Sequence, residues 1–259
     1  MKSLVLSLLL ISAGAFAQES VTEATRLLES KHYDQAKKIL ESIAAHDQSN
    51  GEACFQLGRL LAEHYQDYDG AEKYLEQAVE SSPGSAEYHY TLGRLYGIQA
   101  QVSSIFSKLS YAGKVKSEFL RAVELNPDNV SYRNGLLNFY LRAPGIAGGS
   151  VEKAKEQAAE IVRRDAYAGH VGMAQIAMYE KEYETAEREY LAAIRADPSK
   201  PSAYNYLGYL YLQLKRIDDA IVQFKDYVKH FPQEANSYDS LADGYTAKGD
   251  IESALPNYL

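Results

Sequence analysis

Apolar residues recur at helical spacing along most of the chain, and short polar segments with glycine or proline interrupt them. Three segments share a pattern in which Leu-Gly is followed three residues after the glycine by a large apolar side chain: ACFQLGRLL (53–61), EYHYTLGRLY (87–96) and SAYNYLGYLY (202–211). Each is followed by a second helical pattern that ends at a proline, as in DAIVQFKDYVKHFP (219–232). The sequence therefore predicts a series of helix pairs.

The glycine position recurs with a nearly constant period. Gly58 and Gly93 are 35 residues apart, and Ala174, Gly208 and Ala242 follow one another at 34 residues, with Leu137 in the slot between. A small residue lets two helices approach closely. One such pair cannot bury its apolar face alone, so neighbouring pairs are expected to stack.

This period resembles the tetratricopeptide repeat, a helix–turn–helix unit of 34 residues. The best match consists of Tyr204, Leu207, Gly208, Tyr211, Ala220, Phe224 and Pro232; the next unit repeats it with Tyr238, Leu241, Ala242, Tyr245, Gly249 and Ala254. The first unit matches less well, at Ala24, Leu27, Ala36 and Leu40. The resemblance implies an all-α fold, a right-handed superhelical solenoid of antiparallel helix hairpins, with about seven hairpins in a single domain over 18–259.

Two units, at about 86–127 and 130–166, are longer than the repeat. In the first, QVSSIFSKLS (101–110) places four apolar residues on one helical face: Val102, Ile105, Phe106 and Leu109. We expect an extended helix that continues through Gly113, with this apolar stripe in the core. The alternative is a protruding helix that docks a partner.

The second long unit contains LRAPGIAGGS (141–150), which Lys153 follows. Glycines, a hydroxyl and a lysine suggest a phosphate-binding loop, but that loop needs a preceding strand and a G-x-x-x-x-G-K-[ST] spacing. Here a helix precedes, and Lys153 comes four residues after Gly149. We therefore predict a hairpin turn, with Ser150 as the N-cap of the next helix, and no nucleotide site.

The chain begins with a positive residue, Lys2, and an apolar run, Leu4–Ile11, before the small residues Ala15 and Ala17. This pattern predicts a signal peptide over 1–17 and export to the periplasm or beyond, with no membrane anchor after cleavage because the run is too short to span a bilayer. The alternative is a buried N-terminal helix. The last hairpin stops inside its second helix, so we expect either a truncated sequence or a partner that stabilises this end.

Composition and motif spacing mainly argue against nucleic-acid binding, metal binding and catalysis. The net charge of −8 argues against nucleic-acid binding. The six histidines have no paired-ligand spacing and one cysteine cannot build a zinc site, so no metal or cofactor is expected. No G-x-S-x-G nucleophile elbow occurs. Cys54 lies four residues before Gly58, at a packing position, and is predicted to be buried.

The resemblance implies a concave face, lined by the first helix of each hairpin, where a protein or peptide binds. The candidate residues are Phe55, Arg59, Tyr90, Arg94, Asn134, Asn138, Gln175, Tyr179, Asn205 and Tyr209, with Asp239 and Asp243 beyond them. Arg59 and Arg94 are expected either to bind one carboxylate-bearing ligand or to pair with neighbours such as Glu63 and Glu87.

The function expected from the resemblance is that of a non-catalytic interaction scaffold or adaptor in envelope or periplasmic assembly. One alternative is a structural subunit of an envelope complex, bound through the 101–110 extension or the helix edges. A more remote alternative is an enzyme, which would need polar groups clustered in one pocket.

Overall fold

A computed structural model describes residues 21–258, apart from the side chains of Ile105 and Phe106. The predicted signal peptide, 1–17, lies outside the described residues. Within them the chain is all-α, without strands. The helices are α1 (21–29), α2 (Tyr33–His46), α3 (Gly51–Leu60), α4 (Tyr68–Ser81), α5 (Ala86–Val102), α6 (Ile105–Leu125), α7 (Val130–Arg142), α8 (Val151–Val162), α9 (Ala166–Glu180), α10 (Tyr183–Ala196), α11 (Ser202–Gln213), α12 (Ile217–His230), α13 (Ala235–Lys248) and α14 (Ile251–Ala254).

The helices pack in consecutive pairs, for example α3 with α4, α5 with α6 and α11 with α12. The predicted all-α helical repeat is therefore confirmed. The chain divides into two compact units. Unit 1 contains the described residues up to Gly135 together with Ala143–Gly148, and unit 2 contains Leu136–Arg142 together with the described residues from Gly149 onward. The single-domain organisation stays a prediction.

Small residues at the predicted period bring the two helices of a pair together. A β-carbon on Gly208 would lie 2.2 Å from Cε1 of Phe224, and one on Gly93 would lie 2.8 Å from Cδ1 of Phe119. Gly58 is equally close to Leu75 of α4. Because each of these neighbours is buried, the helix contact requires glycine there.

Within several pairs, the first helix ends in a left-handed turn. Lys31, Lys181, Lys215 and Gly249 have φ values between 60° and 80°. The amide of the following residue bonds to the carbonyl five residues earlier, as from Arg216 to Tyr211 at 2.9 Å. This hydrogen bond satisfies a carbonyl that the helix end would otherwise leave unpaired.

In five pairs, the residue four positions before the packing position bonds back to the loop that precedes its helix, whereas His170, four before Ala174, bonds to Glu189. Cys54 in this slot is fully buried, with its thiol 3.8 Å from the carbonyl oxygen of Gln48, as predicted. Burial raises the pKa of the Cys54 thiol, so the thiol stays protonated. His89, Arg133, Tyr204 and Tyr238 make the equivalent contact to Pro83, Pro127, Pro198 and Pro232. Different side chains thus perform one structural task.

The expectation for the first extension is partly wrong. α6 continues through Gly113 to Leu125, as predicted, but Ser103 and Ser104 separate it from α5. Val102 is 72% exposed and Leu109 is 43% exposed, so these two residues are not core. They form the corner at the far end of the hairpin, beyond the buried contact of Gly93 with Phe119. The expectation was wrong because helical periodicity shows which residues share a helix face and does not show whether another helix packs against that face.

The second extension is a hairpin turn, as predicted. α7 ends at Arg142, a single 3-10 turn follows at Gly145–Ala147, and the hydroxyl of Ser150 accepts a hydrogen bond from the Lys153 N–H. The Lys153 amine lies 5.7 Å from the centroid of the Tyr140 ring.

Candidate functional site

The candidate residues lie on the odd-numbered helices, which are the first helices of the pairs. Most occupy two slots, one residue after the small packing residue (the +1 slot) and three residues before it (the −3 slot). The +1 slot holds Arg59, Arg94, Asn138, Gln175, Tyr209 and Asp243. The −3 slot holds Phe55, Tyr90, Asn134, Asn205 and Asp239, and Tyr179 lies one turn beyond Gln175.

The aromatic −3 residues of unit 1 are used in packing. Phe55 is only 2% exposed, and its ring centroid lies 4.4 Å from that of Tyr88. Tyr90 is half-buried, with ring centroids of Tyr132 and Phe119 at 4.8 and 5.5 Å, and burial raises the pKa of its hydroxyl. Phe55 therefore offers no surface to a partner and is not part of the candidate surface.

Arg59 lines a cleft of about 430 Å³ in unit 1. Its guanidinium Nη2 lies 3.7 Å from Oε2 of Glu63, one turn further along α3, and both side chains remain partly exposed. The Tyr33 and His64 rings, 4.0 Å apart between centroids, form another part of the wall. The remaining lining residues are Thr25, Leu28 and Glu29 of α1 and Gln56 and Leu60 of α3.

The repeat pattern does not predict this cleft. The end of α3 winds as a π-helix over Leu61–Tyr65, closed by Gln66 with a φ of 55°. A π-turn adds one residue to the helical turn and rotates the side chains that follow, and His64 lies in this segment. No residue pattern marks the π-turn in the sequence.

Arg94 occupies the same slot as Arg59 in the next pair, and its environment is different. Its side chain is exposed and forms no salt bridge with any carboxylate in the described part of the chain. The expected pairing with a neighbouring carboxylate therefore occurs for Arg59 with Glu63, and not for Arg94 with Glu87.

In unit 2 the structure brings several candidate residues into contact with one another. The Tyr209 hydroxyl donates to Oδ2 of Asp243 at 2.7 Å, and the Tyr258 hydroxyl donates to Oδ1 of the same carboxylate at 2.9 Å. Oδ1 of Asn205 accepts from the Ser240 hydroxyl at 2.8 Å. Tyr179 is 59% exposed.

The remaining candidates are partly buried. Asn134, Asn138 and Gln175 are neither fully buried nor fully exposed. The first-helix face of unit 1 therefore exposes arginines to solvent. That of unit 2 exposes tyrosines, and its carboxylate at Asp243 already accepts hydrogen bonds from Tyr209 and Tyr258.

Two sequence models of the tetratricopeptide repeat match the chain, one over residues 27–95 and the other over residues 171–235. The chain belongs to the tetratricopeptide repeat family. Such repeats generally form a non-catalytic fold for binding other proteins. No curated protein matches the chain in sequence.

Solved structures of tetratricopeptide repeat type are similar to most of the chain. A tetratricopeptide repeat protein from Parabacteroides merdae has a TM-score of 0.70 at 14% identity, covering 93% of this chain and 90% of that one. PilF of Pseudomonas aeruginosa has a TM-score of 0.56 at 16% identity over 80% and 88% of the two chains. PilW, described as a widely conserved type IV pilus biogenesis factor, has a TM-score of 0.52 at 17% identity over 80% and 90%.

The described residues of this repeat protein contain no group of three or more His, Cys, Asp or Glu side chains that could hold a metal ion. The histidines His89 and His170 instead bond to single carboxylates, Glu118 and Glu189. Between residues 21 and 258, no helix is both long and apolar enough to cross a membrane.

Proposed function

We propose that this tetratricopeptide repeat protein is a non-catalytic scaffold that binds an extended peptide or protein segment against the first-helix face of unit 1. The observation that carries the proposal is Arg94, an exposed guanidinium without a carboxylate partner in the slot that Arg59 occupies beside the cleft. A guanidinium in this state can bind a partner's carboxylate through two parallel hydrogen bonds.

The cleft beside Arg59 supplies the second contact. Its volume of about 430 Å³ lies within the range of sites that bury a ligand group. Leu28 and Leu60 provide apolar wall, and the amide of Gln56 can bond to a peptide backbone. Glu63 holds Arg59 only through a long, exposed contact of 3.7 Å, and a partner's carboxylate can replace it at little cost. The cleft wall also carries the carboxylates of Glu29 and Glu63, so the favoured ligand has an apolar side chain for the cleft and an acidic side chain for Arg94.

We further propose that this binding serves assembly in the bacterial envelope after export. The support is the signal-like pattern of Lys2, Leu4–Ile11 and Ala15–Ala17, together with the likeness to PilW, whose description is that of a pilus biogenesis factor. At 17% identity that likeness speaks for the fold, so the location depends on the sequence pattern.

Peptide display against the full chain tests the binding site. We expect acidic peptides with a bulky apolar residue to be selected, and we expect the double variant Arg59→Ala/Arg94→Ala to bind them at least tenfold more weakly. The matched control is Arg121→Ala/Arg188→Ala, which removes two exposed arginines from the second helices α6 and α10. Equal binding by all three proteins, measured by fluorescence anisotropy, would contradict the proposal.

A second candidate function is docking of a protein through the 101–110 extension, which the exposed Val102 and Leu109 favour. In that case the selected peptides would lose affinity for Val102→Ser/Leu109→Ser and keep it for Arg59→Ala/Arg94→Ala.

A further inference from the structure

The corner between α5 and α6 exposes apolar side chains that no other part of the described chain covers. Val102 ends α5 with 72% of its surface exposed, and Leu109 in the second turn of α6 is 43% exposed. Lys108 and Gln101 beside them are also exposed. Large apolar residues grouped in this way usually mark an interaction surface.

The charge around this corner is opposite to that of the whole protein. From residue 88 to residue 117 the sequence has Arg94, Lys108, Lys114 and Lys116 and no acidic residue, whereas the full chain carries a net charge of −8. Glu72 and Glu76 of α4 pair with Lys114, so the positive charge of this segment comes from Arg94, Lys108 and Lys116, which form no salt bridge with a described carboxylate. An anionic surface is attracted to this region and repelled by most of the remaining chain.

Helical spacing joins the cationic and apolar groups into one stripe. Arg94, Ile98 and Val102 follow one another at four-residue intervals on α5, and all three are exposed. On α6, the adjacent residues Lys108 and Leu109 are both exposed and also combine a cation with an apolar side chain.

A polar network anchors the base of the corner. The Lys114 amine lies 2.7 Å from Oε1 of Glu72 and 3.4 Å from Oε1 of Glu76, both on α4. Gln99 is 4% exposed, and its side-chain amide donates to Oε2 of Glu72 at 2.7 Å. The Lys114 contacts attach α6 to α4, and the Gln99 contact attaches α5 to α4. The exposed corner therefore extends from a part of the pair whose position is fixed.

We propose that the α5–α6 corner is a peripheral docking surface for a phospholipid membrane with anionic head groups. Val102 and Leu109 enter the interface between head groups and acyl chains, while Lys108 remains at the level of the phosphates. A lipid surface fits better than an acidic peptide because Val102 and Leu109 lie at an exposed corner, which a fluid interface can surround and an extended peptide cannot. The contact is reversible, since two apolar side chains and a few cations give only modest affinity.

Vesicle flotation with the full chain tests this docking surface. We expect binding to vesicles of equal parts phosphatidylglycerol and phosphatidylcholine, a large decrease in high salt, and little binding to phosphatidylcholine alone. Val102→Ser/Leu109→Ser should bind about tenfold more weakly, and Lys108→Ala about fivefold more weakly. The matched control is Val222→Ser/Ile251→Ser, which removes two equally exposed apolar residues from α12 and α14 and should bind as the wild type does.

Two results would overturn the proposal. The first is absence of binding to the anionic vesicles, or equal binding by Val102→Ser/Leu109→Ser and the control variant. The second is binding to soluble poly-glutamate in place of the vesicles with the same loss in the corner variant, which would assign the surface to an acidic polypeptide. Peptide binding at Arg59 is unaffected by the corner variant in either case, so the two proposals fail separately.

Discussion

The pairs α5–α6 and α11–α12 contain the same contact to the preceding pair, assembled from different sequence positions. Three residues after the packing glycine, Tyr96 donates to Glu76 of α4 at 2.6 Å, and Tyr211 donates to Glu187 of α10 at 2.8 Å. In both pairs a cation lies over the tyrosine ring and forms a salt bridge with the same preceding helix. This cation is Lys114 at 4.5 Å in the first pair and Arg216 at 4.3 Å in the second.

The origin of the cation is what distinguishes the two pairs. Arg216 directly follows the left-handed turn at Lys215 and is the N-cap residue of α12, which has 14 residues. Lys114 instead lies in the third turn of α6, which has 21 residues. The longer pair keeps the contact and adds a corner outside it. In the longer pair, Lys114, four residues after the 101–110 extension, completes the tyrosine–carboxylate–cation group.

The largest difference between the pairs is expected at the packing glycines. Gly208→Ala should lower the free energy of unfolding by about 2–3 kcal/mol, and Gly93→Ala by about 1–2 kcal/mol, because the added carbon meets Phe224 at 2.2 Å but Phe119 only at 2.8 Å. Denaturant unfolding followed by circular dichroism measures both.

Gly113→Ala is the matched control for these variants, since nothing lies within 4 Å of the added carbon in α6. It should raise stability by up to about 1 kcal/mol. Equal stability of Gly208→Ala and the wild type would show that the helix contact does not require glycine.

The next effect comes from the two tyrosine hydroxyls. Tyr96→Phe and Tyr211→Phe should each cost about 1–2 kcal/mol, because each removes a hydrogen bond to a carboxylate and leaves that carboxylate partly desolvated. Tyr179→Phe, at an exposed position, should change stability by less than about 0.5 kcal/mol. Similar small values for all three would mean that water replaces the hydroxyls without loss.

The buried hydroxyls of Tyr211 and Tyr190 should make the stability of the protein sensitive to alkali. Burial, and then the hydrogen bond to Glu187, raise the pKa of Tyr211 to about 12, and burial raises the pKa of Tyr190 to about 12. In the unfolded chain a tyrosine loses its proton near pH 10, so this part of the stability is complete below pH 10 and is lost as the pH rises toward 12. Tyr211→Phe should reduce that loss in a pH series of thermal unfolding, and an unchanged series would contradict the assignment.

The smallest effect is expected for the cations. Lys114→Met and Arg216→Met should each cost about 0.5–1 kcal/mol, because both side chains are more than one third exposed and their ion pairs are screened. Salt should reduce the difference between each variant and the wild type. A cost that salt leaves unchanged would point to packing of the side-chain stem.

The repeat period predicted the packing glycines and the buried Cys54 because these positions depend on contacts that recur in every pair. The turn residues Lys31, Lys181 and Lys215 have positive φ values without being glycine or asparagine, so no composition signal marks them. Here the hydrogen bond across the turn and the packing of the pair override the residue's own preference.

The candidate surface was less predictable than the fold. Register placed Arg59 and Arg94 correctly on the first helices, but the same register assigned Phe55 to the surface, because it gives the direction of a side chain and not the size of its neighbours. The ring of Tyr88 covers Phe55. In the same way, periodicity identified the stripe of Val102 and Leu109 but could not show that no helix lies opposite it.

Hydrogen–deuterium exchange of the full chain with a display-selected peptide tests the central claim, binding at the first helices of unit 1, most directly. The account predicts slower exchange over residues 55–65 and 90–98, with no such change in Arg59→Ala/Arg94→Ala at the same peptide concentration. Slower exchange confined to residues 101–110, or to the second helices α4 and α6, would contradict it.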